Sequence, residues 1–128
     1  MSEPFTCTLK VIDSGAPTDS DTWEIFNSVT AWGAKGLRHL PVHRISFGVE
    51  NSHDGTLKAY MSTDGGANWR QVEGDNAVTA AASDDISGPY DYLVDTYDDF
   101  KLDWVNGGTT QTTWDPILRA HEKREPGT

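Results

Sequence analysis

Chemistry in this chain would have to start from its histidines and acids. His39 and His43 stand four residues apart and would share a face only on a helix. Gly36 and Pro41 argue against a regular helix there, and zinc asks for roughly three or four ligands, Cys or His above all. Neither His53 nor His121 is placed by sequence near that pair. Asp84, Asp85, Asp91, Asp95, Asp98 and Asp99 offer hard oxygens to calcium, but none forms an EF-hand pattern, and they read as a solvated acidic face. Paired carboxylates could hydrolyse a glycosidic bond, yet such pairs arise anywhere Asp is this common. No Gly-x-Ser-x-Gly elbow, phosphate loop, His-Glu-x-x-His or Cys-His constellation occurs. The sequence therefore predicts no catalytic residue, no metal ligand and no cofactor. Binding is the remaining chemistry: Tyr60, Tyr97, Trp32 or Trp114 could serve as exposed platforms for sugar rings, and each also fits a core or subunit-contact role.

The most informative run is Ser62-Thr63-Asp64-Gly65-Gly66-Ala67-Asn68-Trp69, spaced Ser-x-Asp-x-Gly-x-x-Trp. Asp64 can accept bonds from backbone N–H groups about two or three residues ahead, while Gly65 and Gly66 tolerate positive φ. Ser62 can add a hydroxyl bond, and Trp69 can fold back as an apolar plug under the turn. Ser62, Asp64, Gly66 and Trp69 are thus expected to shape a hairpin turn.

The elements around this turn read as strands. Phe5 to Ile12, His43 to Glu50, Thr56 to Thr63, Tyr90 to Tyr97 and Phe100 to Asn106 all alternate apolar with polar, the period of a half-buried strand. Thr22 to Ala31 does so with Trp23, Ile25, Val29 and Ala31 on one face, Asn27 interrupting and Phe26 opposite; a short helix is the weaker alternative. Asp13 to Asp21 is a loop of turn formers, and Trp32 to Val42 a long loop with two glycines and a proline. Asn51 to Gly55 is a turn in which Asp-Gly supplies positive φ, and Asn106-Gly107-Gly108 is another hairpin-type turn. Trp69 to Glu73 leaves the box, and Ala77 to Ala82 is either a short edge strand or a brief helix. Thr109 to Arg119 is the last strand, with Pro116 favouring an edge or an end. Residues 120–128 read as a short flexible tail. Seven or eight strands with short turns, no βαβ alternation and no internal repeat predict one all-β domain over residues 1–128, a single antiparallel β-sandwich of jelly-roll type.

Composition agrees. At 128 residues the chain is of single-domain size, and five Trp, four Tyr and four Phe can fill a thin sheet-on-sheet core. Cys7 is the lone cysteine, which excludes an internal disulfide, and its alternating surroundings predict a buried free thiol. With no charged-then-apolar leader and no apolar run long enough to span a bilayer, synthesis in a reducing cytoplasm and no membrane partner are expected. The net charge of −10 makes nucleic acid a poor partner. That charge is uneven. Lys35, Arg38 and Arg44 lie in a stretch without acids, whereas from Asp75 to Asp115 nine Asp face Lys101 alone. Lys35, Arg38 and Arg44 are accordingly candidate subunit contacts, a basic loop meeting an acidic face of a neighbour around Asp91 to Asp103.

The run Ser62 to Trp69 resembles the Asp-box of sialidases and other β-proteins, where the box lies away from the reacting centre. A sialidase propeller needs several four-stranded blades, and this chain has strands for about two. A second resemblance joins the box to Gly55-Thr56-Leu57-Lys58-x-Tyr60 upstream and, downstream, Tyr90-Asp91-x-x-Val94-x-x-Tyr97-Asp98-Asp99-Phe100-Lys101-Leu102-x-Trp104. Together these look like small β-sandwich structural proteins of tailed bacteriophages: capsid decoration, tail or adaptor proteins. The likeness spans Arg44 to Trp114, and the N-terminal third carries none of it. It implies a non-enzymatic virion component, made in the host cytoplasm, whose partners are copies of itself and other capsid or tail proteins. A carbohydrate-binding sandwich module is the alternative, with a host-surface glycan as partner.

Overall fold

The computed structural model describes residues 6–9, 21–40, 42–81 and 85–122, with residues 6–9 and 122 as backbone alone. Eight strands form: β1 (Thr6–Leu9), β2 (Thr22–Asn27), β3 (Val42–Asn51), β4 (Gly55–Ser62), β5 (Arg70–Val78), β6 (Ser87–Leu93), β7 (Asp99–Asn106) and β8 (Trp114–Glu122). Between β2 and β3 lie a helix, α1 (Ser28–Trp32), and a 3-10 turn at Gly36–His39. The expectations for Cys7's thiol, for the loop at 13–20 and for the tail at 123–128 concern side chains or segments outside the described residues.

The strands make two four-stranded antiparallel sheets, ordered β1-β8-β3-β6 and β2-β7-β4-β5. The first half of the chain pairs with the second in reverse: β1 with β8, β2 with β7, β3 with β6, β4 with β5. This is a long hairpin rolled across two layers, and the roll is closed by β3 on β8 and β4 on β7. The result is the predicted β-sandwich with jelly-roll connectivity.

Alternation determines which side chains face the other layer. Ile45, Phe47 and Val49 on β3, Leu57 and Ala59 on β4, and Phe100, Leu102 and Trp104 on β7 are all buried, meeting Leu118 and Ala120 from β8. Trp23, Trp114 and Trp104 stack edge to face in sequence, with centroids 5.7 and 5.8 Å apart. On β2 the alternation breaks, because the register on β7 shifts between Glu24 and Phe26. The extra residue turns Ile25 and Phe26 inward together, so Phe26 joins the face expected for Ile25.

Four further local readings are corrected. Thr22 to Ala31 is not one strand: Asn27, whose side chain accepts from the Val29 N–H at 2.9 Å, caps a helix that starts at Ser28. β5 runs through to Val78 as one strand, bulged where Glu73 and Gly74 take φ of 62° and 67°. β8 begins at Trp114 and continues to Glu122, with Ala120 buried, so the chain is still in the sheet where the tail was expected to begin. Pro116 lies in this interior strand. Its neighbour Ile117 pairs with Gly48, whereas the described part of β1 reaches only Leu118, so the absent N–H interrupts no described pairing on that side.

Asp99 fixes the segment after α1. Its buried carboxylate accepts from Ser28 Oγ at 2.6 Å, from the Lys35 N–H at 2.5 Å and from the Gly36 N–H at 3.0 Å, while Ser28 Oγ also accepts from the Phe100 N–H at 2.9 Å. Leu37 donates its N–H to the Asp98 carbonyl at 2.9 Å and buries its side chain. The segment from Ser28 to Leu37 therefore covers the start of β7.

Candidate interaction surface

The Ser62 to Trp69 turn joins β4 to β5. Ser62 Oγ donates to Asp64 Oδ1 at 2.7 Å and accepts from the Gly66 N–H at 2.8 Å. Asp64 then accepts from the Asn68 N–H at 2.9 Å and from Asn68 Nδ2 at 2.8 Å. These donors, the Asn68 side chain first, hold the Asp64 carboxyl down to about 2. Asp64 thus binds backbone three and four residues ahead, at Ala67 and Asn68, the nearer within the expected reach. Gly65 and Gly66 adopt positive φ, and a Cβ on Gly66 would come within 2.7 Å of Val29, so the turn rests on α1. Trp69 turns back onto the loop, its Cζ2 standing 3.5 Å from where a Gly66 Cβ would lie. It lies half-buried with Tyr60 and Lys101, the Lys101 ammonium standing 5.3 Å from the Trp69 ring and 4.7 Å from that of Tyr60. The turn borders a cleft of about 480 Å³ lined by Met61, Thr63, Asp64, Asn68, Trp69 and Arg70.

The proposed sugar platforms are differently placed. Trp114 is 8% exposed, in the core, and Trp32 and Tyr97 pack against that core. Tyr60 carries the Lys101 ammonium on its ring.

Lys35, Arg38 and Arg44 do not form one patch. Lys35 is exposed at a left-handed position with φ of 62°, its backbone held by Asp99. Arg38 pairs with Asp98 at 3.0 Å, and Arg44, on β3, lies 3.7 Å from Asp91. Two of these three cations thus find, inside their own chain, the acids they were expected to seek on a neighbour.

Arg44 belongs to a different surface, the outer face of β8, β3 and β6. Register sets Asp91, Ser46 and Arg119 side by side in one row, and Leu93, Arg44 and His121 in the next. Ser46 Oγ donates to Asp91 Oδ1 at 2.5 Å and contacts His121 Nε2 at 2.8 Å. With the hydroxyl proton on Asp91, His121 must donate to the serine oxygen. The serine thus bridges acid and imidazole. Burial, and then the Arg44 charge, push His121 below its ordinary 6.5, Asp91 opposing. Beside this polar row sit Ile86, 51% exposed, and Ile117, 37% exposed, with Ile86 closing over Gly48. Polar row and apolar pair line a cleft of about 450 Å³ that also takes in Pro89 and Arg119. Leu93, 69% exposed, stands at the sheet edge in the Arg44 row, across the Ser46 row from Ile117.

On the opposite outer face, cross-strand Glu24 and Asp103 meet. Burial pushes the Asp103 carboxyl up, Lys101 opposing and Glu24 adding to the rise. Among the described residues no three His, Cys, Asp or Glu side chains gather as a metal site, and Asp84 lies outside them. No described helix is long and apolar enough to cross a membrane.

The surface on β8, β3 and β6 was missed at the sequence level. Alternation put Arg44 and Ser46 outward on one strand, but their neighbours Asp91, Arg119 and His121 come from strands distant in the chain. Only the jelly-roll register brings them together.

No known protein family matches this chain, and no curated protein does. Among solved structures it is similar to a chain in the structure of infectious bursal disease virus, Gx strain, at 17% identity and a TM-score of 0.44. The match covers 99% of this chain and 34% of that one, so the chain spans about a third of its neighbour's length. The likeness concerns fold alone and carries no argument about function.

Proposed function

We propose that this protein is a non-enzymatic structural component of a tailed-phage virion, a capsid decoration, tail or adaptor protein acting through protein contacts in a symmetric assembly. The observation that carries the reading is the outer face of β8, β3 and β6. Ile86, Leu93 and Ile117 leave large apolar side chains exposed there, beside Arg44, Asp91 and Arg119. An apolar patch edged by charged groups is the usual composition of a protein contact. The Gly55 to Tyr60 strand, the box and the Tyr90 to Trp104 segment support the phage assignment by resemblance. Its partners are copies of itself and other virion proteins.

The test is the protein content of purified phage particles from the source strain, by quantitative mass spectrometry with immunogold labelling. Peptides of this chain in a fixed ratio to the major capsid or tail protein, with gold at one position on the particle, are expected. Particles that lack the chain overturn the reading. Quenching of Trp fluorescence by a glycan panel, with no chain on particles, would support the carbohydrate-binding alternative.

A further inference from the structure

We infer that the open edge of β6 pairs with the same strand of a second copy; this rests on the assembly reading above and names its contact. Among the described residues β6 ends its sheet, with β3 on one side only. The Val94 N–H donates to the His43 carbonyl at 2.9 Å, which marks His43 and Val94 as a bonded pair. Bonded and non-bonded pairs alternate along an antiparallel ladder. The register Arg44↔Leu93, Ile45↔Tyr92, Ser46↔Asp91, Phe47↔Tyr90 then turns the backbone groups of Tyr90 and Tyr92 toward β3. Those of Asp91 and Leu93 turn away, to the open edge. Pro89, next in that alternation, has no N–H and limits the edge at that end.

Two of the other edges carry features that oppose pairing. β2 shifts register between Glu24 and Phe26 before running into α1. β5 bulges at Glu73 and Gly74 and exposes Arg70, Glu73 and Asp75. β6 has no register break from Tyr90 to Leu93, and Leu93 is 69% exposed on it. An unblocked edge bearing an exposed leucine is a template for another strand.

A second copy fits this edge because the segment is its own complement. About a two-fold axis beside Tyr92, Asp91 of one copy faces Leu93 of the other, and each such pair exchanges both N–H···O bonds. The charges agree with this approach. Each Asp91 already accepts from Ser46 and lies 3.7 Å from Arg44, so the carboxylates near the axis arrive countered. Leu93, on the face that holds Ile86 and Ile117, is covered by its counterpart's β6, with Asp91 as its direct neighbour there.

The experiment is residue-resolved amide hydrogen exchange on the full chain, run from dilute to concentrated protein alongside light scattering, with wild type and Leu93→Lys. Wild type is expected to reach the mass of a dimer or a multiple of it, with exchange at Asp91 and Leu93 slowed at least about tenfold as concentration rises. Leu93→Lys is expected to restore the monomer mass and fast exchange at both amides. Should that variant disturb the fold, the wild-type series decides alone. Exchange at Asp91 and Leu93 that stays fast at every concentration overturns the edge pairing, even if the chain still oligomerises; the assembly reading then survives through another contact. Protection that appears only when other virion proteins are added also overturns it, assigning the edge to a foreign strand.

Discussion

Gly55 shows how a residue can be read for the wrong reason. Followed by a strand and preceded by Asp54, it suggests a turn glycine chosen for positive φ. Among the described residues it is not one of the positive-φ positions. What requires glycine is space: a Cβ there would lie 2.2 Å from Cζ2 of Trp104, which is wholly buried on the neighbouring strand. Trp104 cannot retreat, since its indole N–H donates to Asn106 Oδ1 at 3.1 Å and its ring abuts Trp114. Gly55→Ala is expected to destabilise the fold by about 1–3 kcal/mol in urea melts, the cost of overpacking a filled core. Gly108→Ala, which meets nothing within 4 Å, is expected to change stability by less than about 0.5 kcal/mol.

Among the elements, the segment from α1 to the 3-10 turn depends on a single carboxylate. Asp99→Ala would leave Ser28 Oγ and the Lys35 and Gly36 N–H groups without their acceptor. The expected loss is about 2–3 kcal/mol by denaturant melts, with faster amide exchange at Lys35 and Gly36 and unchanged protection at Leu102 and Trp104. Equal loss of protection everywhere would count against this local role. The strands themselves were legible because alternation is a local property, and β3, β6, β7 and β4 as far as Ala59 point the expected side chains inward; at the end of β4 Ser62, expected outward, is buried and Met61 only half so. The bulges were not, because an extra residue shows only against a partner strand. Asn27 looked like a fault in a strand because its capping bond depends on a helix that tertiary packing permits. The surface on β8, β3 and β6 was least legible, since its rows are assembled by register alone.

For the whole molecule, acidity should act in stages. His121 titrates below its ordinary 6.5 when folded, chiefly through burial, so the unfolded chain takes the proton first and stability falls as pH drops below about 6.5. Asp64 contributes stability above its ordinary 3.8, and that contribution is lost as pH falls from there to about 2. Asp103, raised by burial, acts the other way: the folded form protonates first, so acid relieves a small penalty before the unfolded carboxyl reaches 3.8. Thermal melts of wild type and His121→Gln from pH 7.5 to 5 should show the steeper decline in wild type. Parallel curves would mean that His121 titrates alike in both states.

The pairing of β1 with β8 and of β3 with β8 has a consequence for synthesis. A ribosome delivers β3 long before β8, so for most of translation β3 has β6 at best on one flank and nothing on the other. The turn of Ser62 to Trp69 can close β4 on β5 early, because both strands emerge together. Half of one layer, by contrast, waits for the strand that begins at Trp114. A nascent chain stalled ahead of Trp114 would carry bare β edges at both β1 and β3, the state in which chaperone capture or misassociation with another nascent copy would be most favoured.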